Sequence, residues 1–349
     1  MSKKTVAVIF GGCSPEYEVS LSSSYSIINA INREKYDVVL LGITRDGEWY
    51  RYSGDIENIP GDQWQSDERF LKRMIISPSR RGGLIEIGDG RASMVHVDVV
   101  FPVLHGRYGE DGTIQGLCEL AGIPVVGSGS AASALCMDKD RAHKLVAHAG
   151  LSVPESVCFE FAPTDDEVLS AVCEMKLPLF VKPVNAGSSI GITMVEDVSA
   201  LQEAVKTALL YDSAVIIEEN VEGFETGCAV VGNKTLITGR IDEIELAGGF
   251  LDYEEKYDRK TARIHMPARI DGETERRLQE AAKLIYHTLG CRGYARVDIF
   301  LTKDNEIVFN EANTIPGFTS NSRFPIMLSG VGIQYPELVD MLIDLALDN

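Results

Sequence analysis

Two carboxylates near the carboxyl end of the chain have a spacing that suits a divalent cation. Asp298 and Glu311 each lie in a β-rich run, and a polar turn of hairpin length, residues 303–306, separates the two runs. If Thr302 pairs with Ile307, antiparallel counting places Asp298 directly opposite Glu311. Facing carboxylates repel each other unless a cation lies between them. The spacing therefore predicts a cation site, and the alternative is an acidic strand pair on a solvated face.

The residues beside these two acids extend the set. Asn313 follows Glu311 by two positions and Arg296 precedes Asp298 by two, so each shares a strand face with its acid. Carboxylate and amide oxygens suit a hard divalent ion such as Mg²⁺, which commonly accompanies nucleotide phosphates. We therefore expect Asp298, Glu311 and Asn313 to bind Mg²⁺ beside such phosphates.

A lysine-bearing strand in the middle of the chain predicts a flap over phosphates. Lys182 lies in an apolar strand, and Ser188 and Ser189 follow it between two glycines. Free N–H groups and hydroxyls next to a lysine can fold over phosphate oxygens, and a plain hairpin turn is the alternative. Lys139 lies in an upstream helix, where an ordinary exposed charge is the alternative to a phosphate contact.

Acidic residues follow at the end of a further strand. Glu218 and Glu219 end an apolar run, and Glu225 lies beyond a glycine. Acids at such a junction commonly hold an adenine amino group or ribose hydroxyls, and a surface acidic cluster is the equal alternative. Residues 246–270, rich in Gly, Asp, Tyr and Lys, are typical of a loop that covers an active site.

The elements that would position these side chains begin with an α/β unit. Residues 5–12 form a buried-type strand that enters a glycine turn and then a helix, as at the start of a Rossmann-like half domain. The GxGxxG pattern is missing, so the hypothesis of an NAD-dependent dehydrogenase is supported by this unit alone. Glu16 beside the turn could hold an amine, and His105 ends a strand in a glycine-rich loop. The alternative for Glu16 is a solvated loop acid, and the alternative for His105 is a core histidine whose hydrogen bonds are all made within the protein.

Composition limits the class of protein. A chain of 349 residues is long enough for two or three domains, and its formal charge of −19 argues against nucleic acid as a partner. Its seven cysteines are scattered, which favours reduced thiols in a cytoplasm. No apolar run is long enough to cross a bilayer, and we expect no signal peptide. Residues 52–92 are polar with poor periodicity, so we expect a peripheral insertion.

With these pieces in place, the whole chain resembles the D-alanine–D-alanine ligase family of the ATP-grasp superfamily. The motifs that carry the resemblance follow the family's order: FGGCSPEYEVSL, LHGRYGEDGTIQG, MDKDRAHK, VKPVNAGSSIG, DYEEKY, ARVDIF and NEANTIPGFTSNSRFP. The DYEEKY loop and the serine-containing NEANTIPGFTS segment separate this family from other ATP-grasp enzymes.

The resemblance implies an α/β (α+β) fold with three domains, an ATP-grasp fold with a Rossmann-like N-terminal domain. We expect a substrate domain over 1–128, a central ATP-grasp domain over 129–216 and a catalytic domain over 217–349, with ATP between the last two. It also implies a cytoplasmic homodimer that acts on ATP and D-amino acids, with no membrane partner.

Roles for single residues follow from the same resemblance. Asp298, Glu311 and Asn313 would bind two Mg²⁺ ions, for which Mn²⁺ could substitute. The residues implied to contact ATP are Lys139, Lys182, Ser188, Ser189, Glu218, Glu219, Val221, Glu225 and Lys256.

The resemblance also implies the substrate contacts. Glu16, helped by His105, would bind the ammonium of the first D-alanine. Arg296 and the backbone N–H of Gly317 would stabilise the tetrahedral oxyanion. Ser322 would hold the second substrate's carboxylate. A hydrogen-bonded trio that joins the cover loop to the substrate site would consist of Tyr257, Ser188 and Glu16.

The implied reaction has two steps. ATP converts the first carboxylate, a poor electrophile, into an acyl phosphate, while Mg²⁺ and lysines neutralise charge on the transferred phosphoryl group. A closed loop excludes the water that would hydrolyse this intermediate. The neutral amine of the second amino acid then attacks and expels phosphate.

Two positions depart from the family's housekeeping pattern and bear on the second substrate. Arg323 replaces a small apolar residue after SNS, and Leu251 replaces an aromatic in the cover loop. An arginine there resembles the glycopeptide-resistance ligases, which use D-serine or D-lactate, and the kept Lys256–Tyr257 pair disfavours D-lactate. An extra donor near the second subsite favours a hydroxyl, so D-serine is expected. The alternatives are a D-alanine–D-alanine ligase and an ATP-binding protein without turnover.

Overall fold

The computed structural model describes residues 3–80, 83–88, 90–246 and 262–348, in which the strands form three sheets. The helices are α1 Tyr17–Ala30, α2 Thr113–Ala121, α3 Ser130–Met137, α4 Lys139–His148, α5 Asp165–Ala171, α6 Leu201–Leu209, α7 Gly272–Thr288, α8 Arg323–Ser329 and α9 Tyr335–Leu347. The mixture of helices and sheets confirms the expected α/β (α+β) class. No helix of the described ranges is long and apolar enough to cross a membrane.

The strands follow in chain order. They are β1 Lys4–Gly11, β2 Tyr36–Ile43, β3 Trp49–Tyr52, β4 Leu71–Ile76, β5 Leu84–Gly88, β6 Arg91–Val95, β7 Val99–Pro102, β8 Ser156–Phe159, β9 Leu179–Pro183, β10 Thr193–Val195, β11 Val215–Glu219, β12 Gly223–Val231, β13 Ile237–Thr238, β14 Asp242–Leu246, β15 Ala262–His265, β16 Tyr294–Thr302 and β17 Ile307–Asn313.

The first sheet begins as the glycine turn predicts. Its seven strands lie in the order β6-β5-β4-β3-β2-β1-β7, and β1 is parallel to β2 and β7. The run from Val6 to Phe10 in β1 is fully buried, because parallel strands are covered on both faces. Gly11 has a φ of 89°, and a Cβ there would lie 2.1 Å from the Ile43 carbonyl oxygen, so only glycine fits. This turn places Glu16 directly before α1.

Residues 52–92 differ from the expected peripheral insertion. They supply β4, β5 and β6, which extend the first sheet as antiparallel strands. Trp64 is fully buried, and its ring centroid lies 5.0 Å from that of Phe10 and 6.1 Å from that of Tyr52. The segment therefore belongs to the core behind β1, and the expectation of a peripheral insertion was wrong.

The second and third sheets carry the candidate nucleotide and metal residues. The second has the order β10-β9-β11-β8, with antiparallel pairs throughout, and α6 packs on β9 and β10. The third has the order β15-β14-β12-β16-β17, with β13 beside β12, and α7 packs on β12 and β16. Lys182 lies on β9 and Glu218 on β11, whereas Asp298 lies on β16 and Glu311 on β17.

The C-terminal helices return to the first sheet. Leu338 and Leu342 of α9 lie in the same apolar cluster as the buried residues of β1 and α1. The Tyr36 hydroxyl donates to Asp344 at 2.8 Å, and the Lys35 ammonium lies 2.9 Å from Asp340. The two ends of the chain thus share one core, which holds the segment between β17 and α8 against the first sheet.

Asp298 and Glu311 are opposite each other, as predicted, although the predicted pairing of Thr302 with Ile307 was wrong. Ile307 pairs with Leu301, one position earlier. A register shift between Asp298 and Ile299 leaves Asn310 out of the ladder and restores the opposition of Asp298 and Glu311. The β-bulge at Asn310 is therefore what brings the two carboxylates face to face.

Candidate active site

A cavity of about 750 Å³ opens between the second and third sheets, a size that suits a nucleotide. The expected ATP residues that line it are Lys139, Lys182, Ser189, Glu218, Glu219, Val221 and Glu225. Glu311 lines it as well, so one of the three expected metal residues borders the same space. The structure thus collects side chains that lie up to 172 positions apart in the sequence around one cavity.

Lys182 and Glu218 form a buried ion pair in the cavity wall. The Lys182 ammonium lies 2.6 Å from Glu218 Oε2, and both side chains are buried. Burial alone would raise the pKa of Glu218, but the Lys182 ammonium, with His143 and Lys139, outweighs it and holds that pKa below its ordinary value. An ionised Glu218 therefore fixes Lys182 where a phosphate oxygen could reach its remaining N–H donors.

His143 is a residue that the sequence reasoning missed. It follows Lys139 by one helical turn on α4, and a carbonyl can only accept, so its Nε2–H donates to the Asn310 carbonyl at 2.8 Å. Its Nδ1 lies 3.7 Å from Glu218 Oε1. His143 therefore connects the bulge before Glu311 with the Lys182–Glu218 pair. Its spacing from Lys139 within MDKDRAHK was the available signal.

Asp298 is buried and surrounded by donors. The Arg296 guanidinium donates to both of its oxygens, at 2.8 and 2.6 Å, and the Asn313 amide donates to Oδ2 at 2.9 Å. Lys139 lies 3.8 Å from the Glu311 carboxylate. These cations offset the repulsion between Asp298 and Glu311.

The chemistry of this set fits Mg²⁺. Asp298, Glu311 and Asn313 offer carboxylate and amide oxygens on adjacent strands, and hard divalent cations take such ligands. Within the described ranges no three Asp, Glu, His or Cys side chains group around one point, so phosphate oxygens would complete the coordination. The Asn313 amide now turns its Nδ2 toward Asp298, and rotation of the amide would present Oδ1 instead.

Arg323, expected to supply an extra donor near the second subsite, already donates to acids of this chain. Its Nε and Nη2 donate to both oxygens of Asp242, at 2.7 and 2.9 Å, and its Nη1 lies 3.4 Å from Glu225. Nη2 also lies 3.5 Å from Asp298. Carboxylates therefore hold three of the guanidinium's donors, and the expected role of Arg323 at the second subsite stays a prediction. Asp242, which is fully buried, was missed because nothing local marks it.

Glu16 and Ser188 are joined by a hydrogen bond. The Ser188 hydroxyl donates to the Glu16 carboxylate, which links the loop after β1 to the loop after β9. Ser188 and Ser189 have φ values of 51° and 57°, a left-handed conformation that non-glycine residues rarely adopt. Such backbone clusters at ligand-binding loops. Tyr257, the third member of the expected trio, lies outside the described residues, as do Leu251 and Lys256.

His105 is held by the protein on both ring nitrogens. Its Nδ1 lies 2.8 Å from the Ile315 carbonyl and its Nε2 3.3 Å from the Ser23 hydroxyl. Burial lowers the pKa of His105, although the charge of Glu16 opposes this. The hydrogen-bond partners of His105 are thus Ser23 and Ile315, and its expected help to Glu16 stays a prediction.

Gly317 and Ser322 lie together in the segment before α8. A Cβ on Gly317 would lie 3.4 Å from the Ser322 hydroxyl oxygen. That oxygen accepts from the Thr319 N–H at 3.0 Å, so it is fixed at the N-terminus of α8. The proposed oxyanion donor and the proposed carboxylate contact are therefore neighbours.

Comparison with known proteins agrees with this geometry. Two family descriptions match, D-ala D-ala ligase N-terminus over residues 5–128 and D-ala D-ala ligase C-terminus over residues 145–344. The vancomycin C-type resistance protein VanC1 of Enterococcus gallinarum is 44% identical over 98% of both chains. A D-alanine–D-alanine ligase of Caldicellulosiruptor bescii is 41% identical, over 100% of this chain and 96% of its own.

A solved structure is similar as well. The VanG D-Ala:D-Ser ligase from Enterococcus faecalis shares 52% identity with a TM-score of 0.92, over 99% of this chain and 100% of its own. The chain belongs to the D-alanine–D-alanine ligase family and is an ATP-dependent ligase with the ATP-grasp fold.

Proposed function

We propose that this chain joins D-alanine to D-serine, with conversion of ATP to ADP and phosphate, for peptidoglycan precursors that confer glycopeptide resistance. The observation that carries the proposal is the similarity along the whole chain to a D-Ala:D-Ser ligase. Arg323 supports it, because this polar residue directly follows Ser322, the proposed contact for the second carboxylate.

Arg323 would act through a fixed guanidinium. Asp242 holds its Nε and Nη2, and the contact from Nη1 to Glu225 is long at 3.4 Å. Nη1 is therefore the donor that a substrate hydroxyl would compete for. The hydroxyl of D-serine would accept a hydrogen bond from this donor, whereas D-alanine would leave the donor with only its weak bond. This difference favours binding of D-serine.

The first step is phosphorylation of D-alanine. Lys139 and Lys182 would bind phosphate oxygens, with Ser188, Ser189 and Lys256 over them. The adenosine would lie against Glu218, Glu219, Val221 and Glu225. Glu16 would orient D-alanine through its ammonium, so that the carboxylate faces the γ-phosphate.

Mg²⁺ is part of this proposal, held by Asp298, Glu311 and Asn313. When bound it neutralises phosphate charge in the transferred group. The chain's own contribution is to keep both carboxylates on one face through the bulge at Asn310.

The second step is attack by the amine of the second amino acid. Arg296 and the Gly317 N–H would stabilise the oxyanion of the tetrahedral intermediate. Arg296 already donates to Asp298, so its orientation is set before substrate arrives. Ser322 would hold the second carboxylate, with Leu251 and Arg323 beside it, and Tyr257 would tie the cover loop to Ser188.

Phosphate release tests the reaction class. With ATP and Mg²⁺, we expect slow release with D-alanine alone and faster release when D-serine is added. Equal rates in the two cases would favour a D-alanine–D-alanine ligase. Absence of release with every D-amino acid would instead indicate an ATP-binding protein without turnover.

The proposal includes the assembly and its location. We propose a cytoplasmic homodimer with domains over 1–128, 129–216 and 217–349, and two Mg²⁺ ions per site that Mn²⁺ can replace. Sedimentation of the purified protein tests the dimer, since a monomer at working concentrations would contradict it.

A further inference from the structure

Glu110 is an acidic residue in the glycine-rich loop after β7, and neither the motifs nor the proposed reaction assigns it a role. Burial and the charge of Glu16 raise its pKa to about 8. Its Oε1 accepts the N–H of Ile315 at 3.0 Å, and its Oε2 accepts the N–H of Gly106 at 2.9 Å. The first contact joins positions 205 residues apart. Glu110 therefore ties its own loop to the segment that contains Gly317.

His105 holds the same residue from its other side. Its Nδ1 lies 2.8 Å from the Ile315 carbonyl, which can only accept, so Nδ1 carries the proton. The Ser14 hydroxyl in turn donates to the His105 carbonyl at 2.7 Å. Both the N–H and the C=O of Ile315 are thus fixed by side chains from one loop.

A second anchor lies just beyond Gly317. The Ser23 hydroxyl oxygen on α1 accepts the Phe318 N–H at 3.3 Å and lies 3.3 Å from His105 Nε2. Phe318 is itself fully buried. The segment is therefore anchored at Ile315 and again at Phe318.

Only two residues lie between these anchors. Pro316 has a fixed φ and no N–H, and Gly317 has no side chain through which it could be held. The direction of the Gly317 N–H is therefore set by the anchors on either side. Glu110 supplies one of the two bonds at the first anchor.

We propose that Glu110 is a positioning residue whose bond to the Ile315 N–H, together with His105 and Ser23, aims the Gly317 N–H at the oxyanion. This inference rests on the proposed role of Gly317. A merely structural glutamate would satisfy two backbone N–H groups with no particular effect on one chemical step.

The two steps of the reaction separate these interpretations. In the first, a D-alanine carboxylate oxygen attacks the γ-phosphorus, the Pγ–O bond to ADP breaks, and the acyl phosphate forms. If this step reverses on the enzyme, ¹⁸O placed in the β,γ-bridge of ATP moves to a β-non-bridging position. The oxyanion forms only in the second step, when the amine attacks.

The experiment compares these steps in the Glu110→Gln variant. The amide keeps one acceptor oxygen but turns an NH₂ group toward the other N–H, so one bond is lost. We expect dipeptide formation to fall about 10- to 100-fold, below the effect of removing an oxyanion donor outright. Positional isotope exchange with D-alanine alone should stay within about 3-fold of wild type, with the KM for ATP unchanged.

The control is Glu119→Gln. Glu119 also accepts a backbone N–H, from Ser130 at 2.8 Å, but it lies on α2 and its bond reaches the start of α3, away from this segment. Both rates should stay near wild type in this variant. A Ser23→Ala variant tests the second anchor and should show the same selective loss of the dipeptide step.

Each outcome decides the inference. An equal fall of exchange and dipeptide formation in Glu110→Gln, or no fall in either, would overturn it. The same reactions are measured in parallel with the wild-type protein, and these measurements test the proposed function separately. If the wild type makes only D-alanyl-D-alanine, D-serine is wrong as second substrate, but the comparison for Glu110 stands because the same oxyanion forms.

Discussion

The Lys182–Glu218 pair permits a prediction that separates stability from nucleotide binding. Lys182→Met would remove an ammonium that lies 2.6 Å from a buried carboxylate and leave Glu218 without its closest partner. Breaking a buried pair by removing one partner costs about 3–5 kcal/mol, because an uncompensated charge stays buried. We expect this loss in the free energy of urea unfolding of the ligand-free protein.

A second variant tests the cause. In Lys182→Met/Glu218→Gln the charge is gone, and the new amide can donate to His143 Nδ1, which lies 3.7 Å from Glu218 Oε1. We expect this double variant to recover at least about 2 kcal/mol of the loss. ATP affinity, measured by calorimetry, should stay low in both variants because the phosphate contact is missing.

The stabilisation from the Lys182–Glu218 pair also depends on pH. The pKa of Glu218 is depressed, so its stabilisation is present above the unfolded pKa of about 4.3 and is lost as pH falls through the lower folded value. A double variant no more stable than Lys182→Met would refute the account of an uncompensated charge. Recovery of ATP affinity in the double variant would refute the proposed phosphate contact of Lys182.

Three further predictions follow from other parts of the structure. The Arg323→Met variant is made together with Asp242→Asn, so that the Asp242 carboxylate is not left buried without a partner. This change should lower the ratio of D-alanyl-D-serine to D-alanyl-D-alanine at least about 10-fold. An unchanged ratio would exclude Arg323 as a determinant of the second substrate. His143→Leu should loosen the bulge before Glu311 and raise the Mg²⁺ concentration for half-maximal rate about 10-fold, whereas Lys144→Ala on the exposed face of α4 should not. Trp64→Ala should cost about 3–5 kcal/mol of unfolding free energy, and a loss below 1 kcal/mol would contradict its place in the core.

The metal residues show how sequence reasoning can succeed through a wrong step. Spacing alone predicted that Asp298 faces Glu311, and the structure confirms it. The pairing used to reach it was one residue out, and the bulge at Asn310 corrects the difference. A bulge adds one unpaired residue without any pattern of its own in the hydrophobic alternation, so counting from the turn does not detect it.

The family could be predicted because its motifs are long and occur in order along the chain. Contacts between distant segments could not. Arg323 and Asp242 are 81 positions apart, and Ile315 and Glu110 are 205 apart. Each of these acids looks like an ordinary loop or strand acid in the sequence. Only the tertiary fold shows that Asp242 holds the Arg323 guanidinium through Nε and Nη2.

Residues 52–92 were misjudged for a different reason. Their strands are short and β6 is mostly exposed, so the alternation of apolar and polar residues is weak there. The contact between Trp64 and Phe10 depends on where the chain folds back across the first sheet, and the same holds for the burial of Met74 and Leu84. A single buried tryptophan in a polar segment gives no periodicity to detect.

The most direct test of the proposed second substrate is a competition between amino acids. Purified protein with ATP, Mg²⁺ and equal concentrations of D-alanine and D-serine would be sampled at early times, and the two dipeptides separated and quantified by mass spectrometry. The proposal predicts D-alanyl-D-serine as the main product. Exclusive formation of D-alanyl-D-alanine under these conditions would contradict it.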